Sequence, residues 1–333
     1  MKHIVVTGGA GYVGSLLCPQ FLELGYRVTA LDTCFFGESF LPHTHQNFRL
    51  VRGDIRDTNA LSRVFSGADI VINLACISND ASFELDERLS TSVNLDAFEP
   101  MVVAAKSAGV SRFIYASSSS VYGVSDQPNV TEDHPLVPLT LYNKYKGMCE
   151  PLLFRHMTDE FVCTVIRPAT LCGYAPRQRL DLSVNILTNL AVNKGQITVF
   201  GGAQLRPNLH IQDMCDAYKT FIEIDSAKIQ GQIFNCGFEN QSIADLAVVV
   251  KRVVERAFPD LGDIAITTTP SNDNRSYHIN SEKIQRITGF TPKHSVEDAV
   301  ADLCRAFKSG LLPNSIDDDR YYNVRTLKAI QAA

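Results

Sequence analysis

The sequence predicts an α/β fold, in which a doubly wound parallel sheet is joined to a smaller, discontinuous α/β domain. Three observations lead to this prediction. The chain opens with an apolar, β-branched run, a turn of small residues and an amphipathic helical pattern. Short apolar runs then alternate with helical patterns through the first half, which is typical of a parallel sheet covered by helices on both faces. The second half is less regular and returns to the sheet with a strand over 232–235.

The first element is a strand predicted over 3–6, followed by a glycine-rich turn and a helix. Glycines let the backbone turn sharply and approach a pyrophosphate closely. The helix start adds free N–H groups and the positive end of the helix dipole. Strand, turn and helix together predict a dinucleotide site, whereas a tight turn without a ligand is the alternative. The residues predicted to contact the dinucleotide here are Gly8, Gly11, Tyr12, Val13 and Gly14.

The second and third strands each end at an aspartate. The strand predicted over 27–31 ends at Asp32, 18 residues after Gly14. A carboxylate there accepts hydrogen bonds from ribose hydroxyls and repels a 2′-phosphate, which predicts NAD rather than NADP. The third strand ends in Asp54 and Ile55, which we expect to meet the adenine. An ordinary aspartate at a strand end is an equally good explanation of Asp54.

The later elements follow in chain order. In the first half we predict a helix over 58–65, strands over 48–51, 69–75 and 112–116, and a long helix over about 85–108 with a kink or break near Glu99 because of Pro100. In the second half we predict strands over 161–166, 196–200 and 232–235, and helices over 142–157, 182–192, 213–224, 243–258, 280–287 and 295–307. The larger domain then comprises 1–170 and about 208–237, and the smaller one about 171–207 and 238–333. The tail from Asp317 either packs on the body or frays. The strand ends expected to share one crevice carry Gly8, Asp32, Asp54, Ala75 and Ser117.

Composition excludes several classes of protein. The chain has 333 residues, enough to bury a substantial core, and 45% of them are hydrophobic. Its net charge of −5 gives no reason to expect nucleic acid or an anionic membrane as a partner. No apolar run reaches the roughly 20 residues of a membrane span, and we expect no signal peptide because the chain enters a strand directly. None of the nine cysteines forms a C-x-x-C pair. We therefore expect a cytoplasmic protein with free, mostly buried thiols and no metal site.

Two segments carry residue types suited to catalysis. The serines at 117–120 follow the fifth predicted strand, and Tyr142 and Lys146 share a face of the next helix because they are four residues apart. A tyrosine hydroxyl has a pKa of about 10, but a nearby ammonium and a nicotinium charge both favour the phenolate. With a serine to align the substrate, this set suits proton removal from an alcohol while hydride leaves its carbon. The alternatives are a surface pair, or a role for Tyr145, which cannot share the face of Lys146.

Together the motifs TGGAGYVG, Asp32, GDI, SSSSVYG and YNKYK resemble the extended short-chain dehydrogenase/reductase superfamily. Within it, the chain is similar to the NAD-dependent nucleotide-sugar epimerase/dehydratase family, whose best-known member is UDP-galactose 4-epimerase. This resemblance implies a Rossmann-type sheet, bound NAD, a nucleotide-diphosphate sugar as substrate, and a homodimer paired through the two long helices. It also implies Ser118, Tyr142 and Lys146 as the catalytic residues.

The resemblance assigns ligand contacts position by position. Besides the glycine turn and the two aspartates, the cofactor contacts that it implies are Ile55, Leu74, Ala75, Asn94, Ser117, Tyr142, Lys146, Arg167 and Ala169. The substrate contacts that it implies are Asn79, Ser118, Thr170, Arg177, Arg179, Asn185, Arg206 and Arg275. Two guanidinium groups suit a diphosphate because their forked donors match phosphate oxygens. For any one of these arginines, a surface salt bridge is the alternative.

One departure from the family bears on the reaction. In its 4,6-dehydratases an Asp-Glu pair follows the catalytic Ser or Thr, whereas this chain has Ser119 and Ser120 there. Neither hydroxyl is an effective general acid or base at neutral pH, so dehydration is disfavoured. We therefore expect a nucleotide-sugar 4-epimerase. The alternatives are a dehydrogenase or 4-keto reductase, since 167–182 also resembles members that act on GDP-linked sugars, and a non-catalytic NAD-binding module.

Overall fold

The computed structural model describes residues 1–125, 127–271 and 276–332. Its strands are β1 (His3–Thr7), β2 (Arg27–Asp32), β3 (Phe48–Arg52), β4 (Ile70–Asn73), β5 (Arg112–Ala116), β6 (Val162–Pro168), β7 (Thr170–Cys172), β8 (Gln196–Phe200), β9 (Leu205–His210), β10 (Gln232–Cys236), β11 (Glu239–Ser242) and β12 (Ala265–Thr269). Its α-helices are α1 (Tyr12–Glu23), α2 (Thr58–Phe65), α3 (Asp80–Phe83), α4 (Glu87–Thr91), α5 (Phe98–Ser107), α6 (Leu141–Phe154), α7 (Ser183–Lys194), α8 (Ile211–Glu223), α9 (Ser226–Ile229), α10 (Ile243–Ala257), α11 (Glu282–Thr288), α12 (Val296–Lys308) and α13 (Asn323–Ala332). Single helical turns of other types are the π turn Ser92–Asp96 and the 3-10 turns Ser119–Tyr122, Pro259–Leu261 and Asp319–Tyr321.

The main sheet has seven parallel strands in the order β10-β6-β5-β4-β1-β2-β3. Successive residues of β1 point to opposite faces of the sheet, so Ile4 and Val6 enter one core and Val5 enters the other. Helices α1 and α8 cover the first face, and α2, α5 and α6 cover the second. The predicted doubly wound α/β fold is confirmed.

The long helix predicted over about 85–108 is divided. Helix α4 runs into the π turn, and α5 begins only at Phe98. Pro100 then lies in the first turn of α5, where a missing backbone N–H costs no helical hydrogen bond. The break is thus near the predicted Glu99 but a few residues earlier. Strand β4 is also shorter than predicted and ends at Asn73, so the residues after it form an irregular loop.

A second set of elements packs around its own core. Strands β7, β9 and β11 form a small sheet, and β8 pairs with β12. Helices α7, α10 and α12 enclose a hydrophobic core that is separate from the two cores of the main sheet. The segment 277–290, which we expected in the smaller domain, instead packs into the core of the main sheet beside Phe234. The division into two domains remains a prediction.

Two further features of the described residues bear on the setting of the protein. None of their helices is both long and apolar enough to cross a membrane. The cysteine thiols are buried except for Cys34 and Cys76, which are partly exposed. The prediction of mostly buried thiols is confirmed.

Candidate active site

A cavity of about 640 Å³ opens at the carboxyl ends of β1 to β6. Ligands of open parallel sheets bind at this edge. The structure brings most of the predicted site residues to it, and these are Gly8, Gly11, Tyr12, Val13, Gly14, Asp32, Asp54, Ile55, Leu74, Ala75, Asn79, Ser117, Ser118, Tyr142, Lys146, Ala169, Thr170, Arg177, Arg179 and Arg206. The expected crevice of strand ends is therefore confirmed, while the role of each residue remains a prediction.

The glycine turn has no room for a side chain at two of its positions, Gly8 and Gly14. Gly8 has a φ of +76°, and a Cβ built on it would lie 2.7 Å from the backbone nitrogen of Ala75. A Cβ on Gly14 would lie 2.5 Å from the carbonyl oxygen of Gly9. Helix α1 starts after Gly11, and no side chain of the described residues caps its first N–H groups. The turn therefore presents free donors at a helix start, as a pyrophosphate requires.

The two aspartates lie beside this turn. Asp32 accepts hydrogen bonds from the N–H groups of Ala10 (2.9 Å) and Cys34 (2.8 Å). Burial raises the pKa of Asp32, and these hydrogen bonds oppose the rise. Asp54 is already paired with Arg56, at 2.6 Å between Oδ2 and Nη2. An adenine contact for Asp54 remains a prediction, in competition with this ion pair.

Helix α6 carries the predicted catalytic pair. Thr140 caps the helix, since its Oγ1 accepts a hydrogen bond from the N–H of Asn143 (3.3 Å). The cap fixes the first turn, and both Tyr142 and Lys146 face the cavity. Lys146 Nζ donates to the carbonyl oxygen of Ala116 at 2.7 Å. The ammonium group is thereby held at the carboxyl end of β5.

Tyr142 needs positive charge to act as a base. Burial raises its pKa well above the ordinary value, and Arg179 opposes the rise. A bound nicotinium ring would add a further positive charge, and so favour the phenolate. The competing Tyr145 packs edge-on against Phe83, with ring centroids 5.6 Å apart, and is not among the residues that line the cavity.

The serines form a short hydrogen-bonded chain beside this pair. Ser118 Oγ lies 2.7 Å from Ser120 Oγ. Ser120 Oγ in turn donates to Oδ1 of Asn143, which is 1% exposed. This chain fixes the Ser118 hydroxyl at the cavity surface.

A wall of the cavity carries two arginines and one carboxylate. Arg179 Nε donates to Asp181 Oδ1 at 2.8 Å, and Arg177 donates to Oδ1 of Asn323. The Arg177 guanidinium also lies 3.9 Å from the ring centre of Phe36. Burial and the neighbouring Arg179 lower the pKa of Arg177 to about 9, so it is charged at neutral pH. Burial opposes the charge of Asp181, but the Arg179 ion pair, the N–H of Asn323 and the charge of Arg177 together lower the Asp181 pKa.

Arg167 does not reach the cavity with its side chain. Its Nε and Nη2 donate to the two carboxylate oxygens of Glu150, at 2.9 and 2.6 Å. Ser117 Oγ donates to the same carboxylate at 2.6 Å. The Arg167 side chain is thus directed away from the cavity, because a buried carboxylate takes both forks of the guanidinium, and its predicted cofactor contact remains a prediction. Arg167 and Ser117, which lines the cavity, thus share one carboxylate.

Two other predicted residues also lie behind the cavity wall. Asn94 exchanges hydrogen bonds with the backbone of Ile77, at 2.8 and 2.9 Å. Asn185 Nδ2 donates to Tyr12 Oη at 3.1 Å. Both amides therefore hold residues of the wall and are not themselves among its lining. Arg275 lies outside the described residues.

The sequence of this chain matches the model of the NAD dependent epimerase/dehydratase family over residues 4–237. The chain belongs to this family. The resemblance predicted from its motifs is confirmed.

Family members of two activities are similar to it. A dTDP-glucose 4,6-dehydratase of Streptomyces griseus is 28% identical, over 90% of this chain and 92% of its own length. A UDP-glucose 4-epimerase of Lactobacillus helveticus is 26% identical, over 92% of this chain and 97% of its own length. The solved structure of UDP-glucuronic acid 4-epimerase from Bacillus cereus, in complex with UDP-glucuronic acid and NAD, superposes with a TM-score of 0.82 at 25% identity, covering 92% of this chain and 99% of that one.

The family is NAD-dependent, and the residues of this member fit NAD. The cradle of Gly8 and Gly14 with the uncapped start of α1 suits the pyrophosphate. Asp32 suits the adenosine ribose, and Lys146 suits the nicotinamide ribose beside Tyr142. When bound, NAD supplies a hydride acceptor.

Several cavity residues were not predicted from the sequence. Among them are Phe36, Cys76, Ser78, Asp181, Asn323 and Leu327. Asp181 stands two residues after Arg179, so an ion pair was a recognisable signal. Asn323 and Leu327, near the end of the chain, lie in no sequence motif that would point to the site, since only the tertiary fold brings them there.

Proposed function

We propose that the protein is an NAD-dependent nucleotide-sugar 4-epimerase. The observation that carries this proposal is that Ser118, Tyr142 and Lys146 line one cavity together with the glycine turn. A protein that only binds NAD has no need for a phenol and an ammonium group on one helix face beside the cofactor. The arrangement is that of a site that moves a proton next to a hydride acceptor.

Each catalytic residue has a separate task in this proposal. The sugar is oxidised at C4 when its hydride passes to NAD, and the hydride returns to the opposite face. Tyr142, as the phenolate, takes the proton of the C4 hydroxyl and later returns it. The Lys146 ammonium favours that phenolate, and the Ser118 hydroxyl aligns the reacting oxygen.

The arginines of the cavity are assigned to the substrate. Arg177, Arg179 and Arg206 are suited to the diphosphate and to polar groups of the sugar, because guanidinium forks match paired oxygens. Asn79 and Thr170 lie on the same cavity and are assigned to the sugar.

A 4,6-dehydratase is the less favoured activity, although dehydratases are among the relatives. Ser119 is 1% exposed and Ser120 donates to Asn143. Neither hydroxyl can serve as the general acid or base that removes water from C5 and C6.

The proposal is tested by incubating the NAD-loaded protein with UDP-, dTDP-, GDP- and CDP-sugars. A product inverted at C4, with no net change in the NADH absorbance band, supports epimerisation. Net formation or consumption of NADH would instead identify a dehydrogenase or 4-keto reductase. An unchanged spectrum and no product with any of them would favour a non-catalytic NAD-binding module.

Two variants separate an enzyme from a binding module. Tyr142→Phe is expected to lower turnover by about 10²–10⁴-fold, the usual contribution of a general base, while NAD remains bound. Tyr145→Phe is the matched control, because this tyrosine packs against Phe83 away from the cavity. Equal activity of the Tyr142→Phe variant and wild type would contradict the assigned base.

We also propose a cytoplasmic homodimer paired through α5 and α6. Apolar side chains are exposed on these helices at Val103, Leu141 and Met148. Such residues on neighbouring helices are suited to a helical interface. A monomeric mass in light scattering would exclude the dimer.

A further inference from the structure

One face of α6 packs along the segment that follows β5. Three buried polar residues share this face because they are three and four residues apart, and they are Asn143, Lys146 and Glu150. Lys146 Nζ donates to the carbonyl oxygen of Ala116 at 2.7 Å. Glu150 accepts a hydrogen bond from Ser117 Oγ at 2.6 Å. The helix therefore holds the start of the serine segment, residues 117–120.

Asn143 holds the far end of this serine segment. It is buried and lines the cavity, and its Oδ1 accepts a hydrogen bond from Ser120 Oγ. The hydroxyl oxygens of Ser120 and Ser118 lie 2.7 Å apart. A serine hydroxyl has a single proton, and that of Ser120 is directed to Asn143. The contact between the two serines must therefore use the proton of Ser118, so Ser118 offers the cavity an acceptor and no donor.

The proposed reaction needs a donor from Ser118. When Tyr142 takes the proton of the C4 hydroxyl and the hydride leaves, the C4 oxygen becomes a carbonyl oxygen, which only accepts hydrogen bonds. A donor beside it stabilises the negative charge that develops as the proton leaves. Ser118 can align this oxygen only if its own proton points into the cavity. The hydrogen-bond chain must then run in the reverse direction, from Asn143 through Ser120 to Ser118.

The amide of Asn143 can supply this reverse direction. Within the part of the chain that the structure describes, its Nδ2 is buried without a partner. A half-turn of the amide exchanges its oxygen and its nitrogen at almost constant shape, and Nδ2 then donates to Ser120 Oγ. The Ser120 hydroxyl can then donate to Ser118, whose Oγ also accepts from the N–H of Ser120 at 3.2 Å. The turned amide leaves an oxygen without a partner in place of an N–H group, which is the less rare of the two in protein interiors.

We propose that Asn143 is a positioning residue that sets the direction of the serine chain. With its Nδ2 towards Ser120, hydrogen bonds run from Asn143 to Ser120, then to Ser118, and from there to the C4 oxygen of the sugar. No proton is transferred along this chain, because the C4 proton passes to Tyr142 and the hydride to NAD. The inference rests on the proposed function, since it concerns the oxygen at which that reaction begins.

Asn143→Asp tests the direction of the chain. The carboxylate has the shape of the amide but only accepts hydrogen bonds, so it keeps the Ser120 proton and leaves Ser118 without a proton for the sugar. Turnover of the NAD-loaded protein is measured with whichever of the UDP-, dTDP-, GDP- and CDP-sugars wild type converts. It is expected to fall by about 10²–10³-fold, the usual loss for one donor to an oxyanion.

Asn143→Leu is the companion variant, because its side chain neither donates nor accepts a hydrogen bond. Ser118 can then still donate to the sugar, and the loss of turnover is expected to be less than about tenfold, as for one neutral hydrogen bond. A loss in Asn143→Leu equal to or larger than that in Asn143→Asp would reduce Asn143 to a packing role and overturn the inference.

The Ser120→Ala background separates the direction of the chain from the added charge. A carboxylate at position 143 also disfavours the Tyr142 phenolate, and that effect does not need Ser120. In the Ser120→Ala protein, Asn143→Asp is therefore expected to cost less than about tenfold in turnover. An undiminished loss there would assign the effect to charge and overturn the inference. Lys144→Ala is the matched control, because this neighbouring residue of α6 is exposed, and its turnover is expected to equal that of wild type.

Two further measurements keep the inference testable. If Asn143→Asp does not fold, Asn143→Leu is combined with Ser120→Ala. A residue that acts through Ser120 predicts that the double variant loses no more turnover than the worse single variant, whereas losses that multiply would overturn the inference. The affinity for NAD, measured by calorimetry, is expected to be unchanged in every variant. A fall in NAD affinity that matches the fall in turnover would assign Asn143 to the cofactor and overturn the inference.

The outcomes separate this inference from the proposed function. If wild type converts a nucleotide sugar and Asn143→Asp converts it equally fast, the inference is overturned and the proposed function stands. If wild type converts none of the four classes of nucleotide sugar, the proposed function itself is refuted.

Discussion

Glu150→Gln is expected to lower the free energy of unfolding strongly, because it leaves the buried positive charge of Arg167 without its counter-charge. Glu150 and Arg167 are each 3% exposed in their side chains, and their closest approach is 2.6 Å. Burial alone would lower the pKa of Arg167, but the hydrogen bonds and charge of Glu150 raise it. Breaking such a pair from one side costs about 3–5 kcal/mol.

The cost follows from the contacts that remain. The substituted amide keeps one oxygen, which can still accept from Ser117, but it loses the bidentate carboxylate that takes both Nε and Nη2 of Arg167. The guanidinium would keep that amide oxygen for its Nε, Tyr122 Oη at 2.7 Å and the carbonyl oxygen of Glu132 at 3.1 Å, while its Nη2 would meet an amide NH₂ that cannot accept. These neutral acceptors do not replace the charge of a buried carboxylate.

The assay is equilibrium unfolding in urea, followed by circular dichroism, with the m-value checked for equality between variants. Glu297→Gln is the control, because Glu297 pairs with Arg252, which is 60% exposed; its loss is expected to be below about 1 kcal/mol. Combining Glu150→Gln with Arg167→Met should cost about 2 kcal/mol less than the sum of the single variants. A loss in Glu150→Gln no larger than in Glu297→Gln would refute the reasoning.

Three further predictions concern the turn, the cofactor and pH. Gly8→Ala is expected to lower the unfolding free energy by more than about 1 kcal/mol, because its φ is positive and a Cβ would meet the backbone of Ala75; urea unfolding checks it. Asp32→Ala is expected to weaken NAD binding by roughly ten- to a hundredfold. It should also reduce the ratio of the affinity for NAD to that for NADP, as measured by titration with both cofactors. Burial lowers the pKa of His210 to about 4 from its ordinary 6.5. The unfolded chain therefore binds the proton first as pH falls, so stability present above pH 6.5 is lost progressively down to pH 4, by up to about 3 kcal/mol. His210→Asn, which keeps an acceptor for the N–H of Gln212, should remove this part of the pH dependence of stability. If the unfolding free energy of the variant varied with pH between 6.5 and 4 as steeply as that of wild type, the prediction would be contradicted.

The sequence predicted best those features that depend only on the local backbone, within a few residues along the chain. The strand, glycine turn and helix at the N-terminus need only local geometry, since Gly8 must adopt a positive φ where the chain reverses. Tyr142 and Lys146 share a face because their spacing matches the helical period. The strand ends meet at one edge because consecutive strand–helix units make a parallel sheet.

Arg167 shows where local reasoning fails. Its place at the end of β6 was predicted correctly, but the direction of its side chain depends on Glu150, a residue of another element. A guanidinium beside a buried carboxylate turns towards it and not towards the cavity, because an unpaired buried charge is too costly.

The sequence by itself therefore determined the α/β class, the NAD cofactor and the set of residues that we propose for proton transfer. The tertiary structure alone decided which distant residues complete the cavity. Arg177 and Asn323 are 146 residues apart in the chain and yet share a buried hydrogen bond at the cavity. Such a contact has no local pattern, because it depends on how the C-terminal segment, residues 318–332, packs against α7 and α3, whereas the motifs of the cofactor site are set by the backbone on either side of each residue.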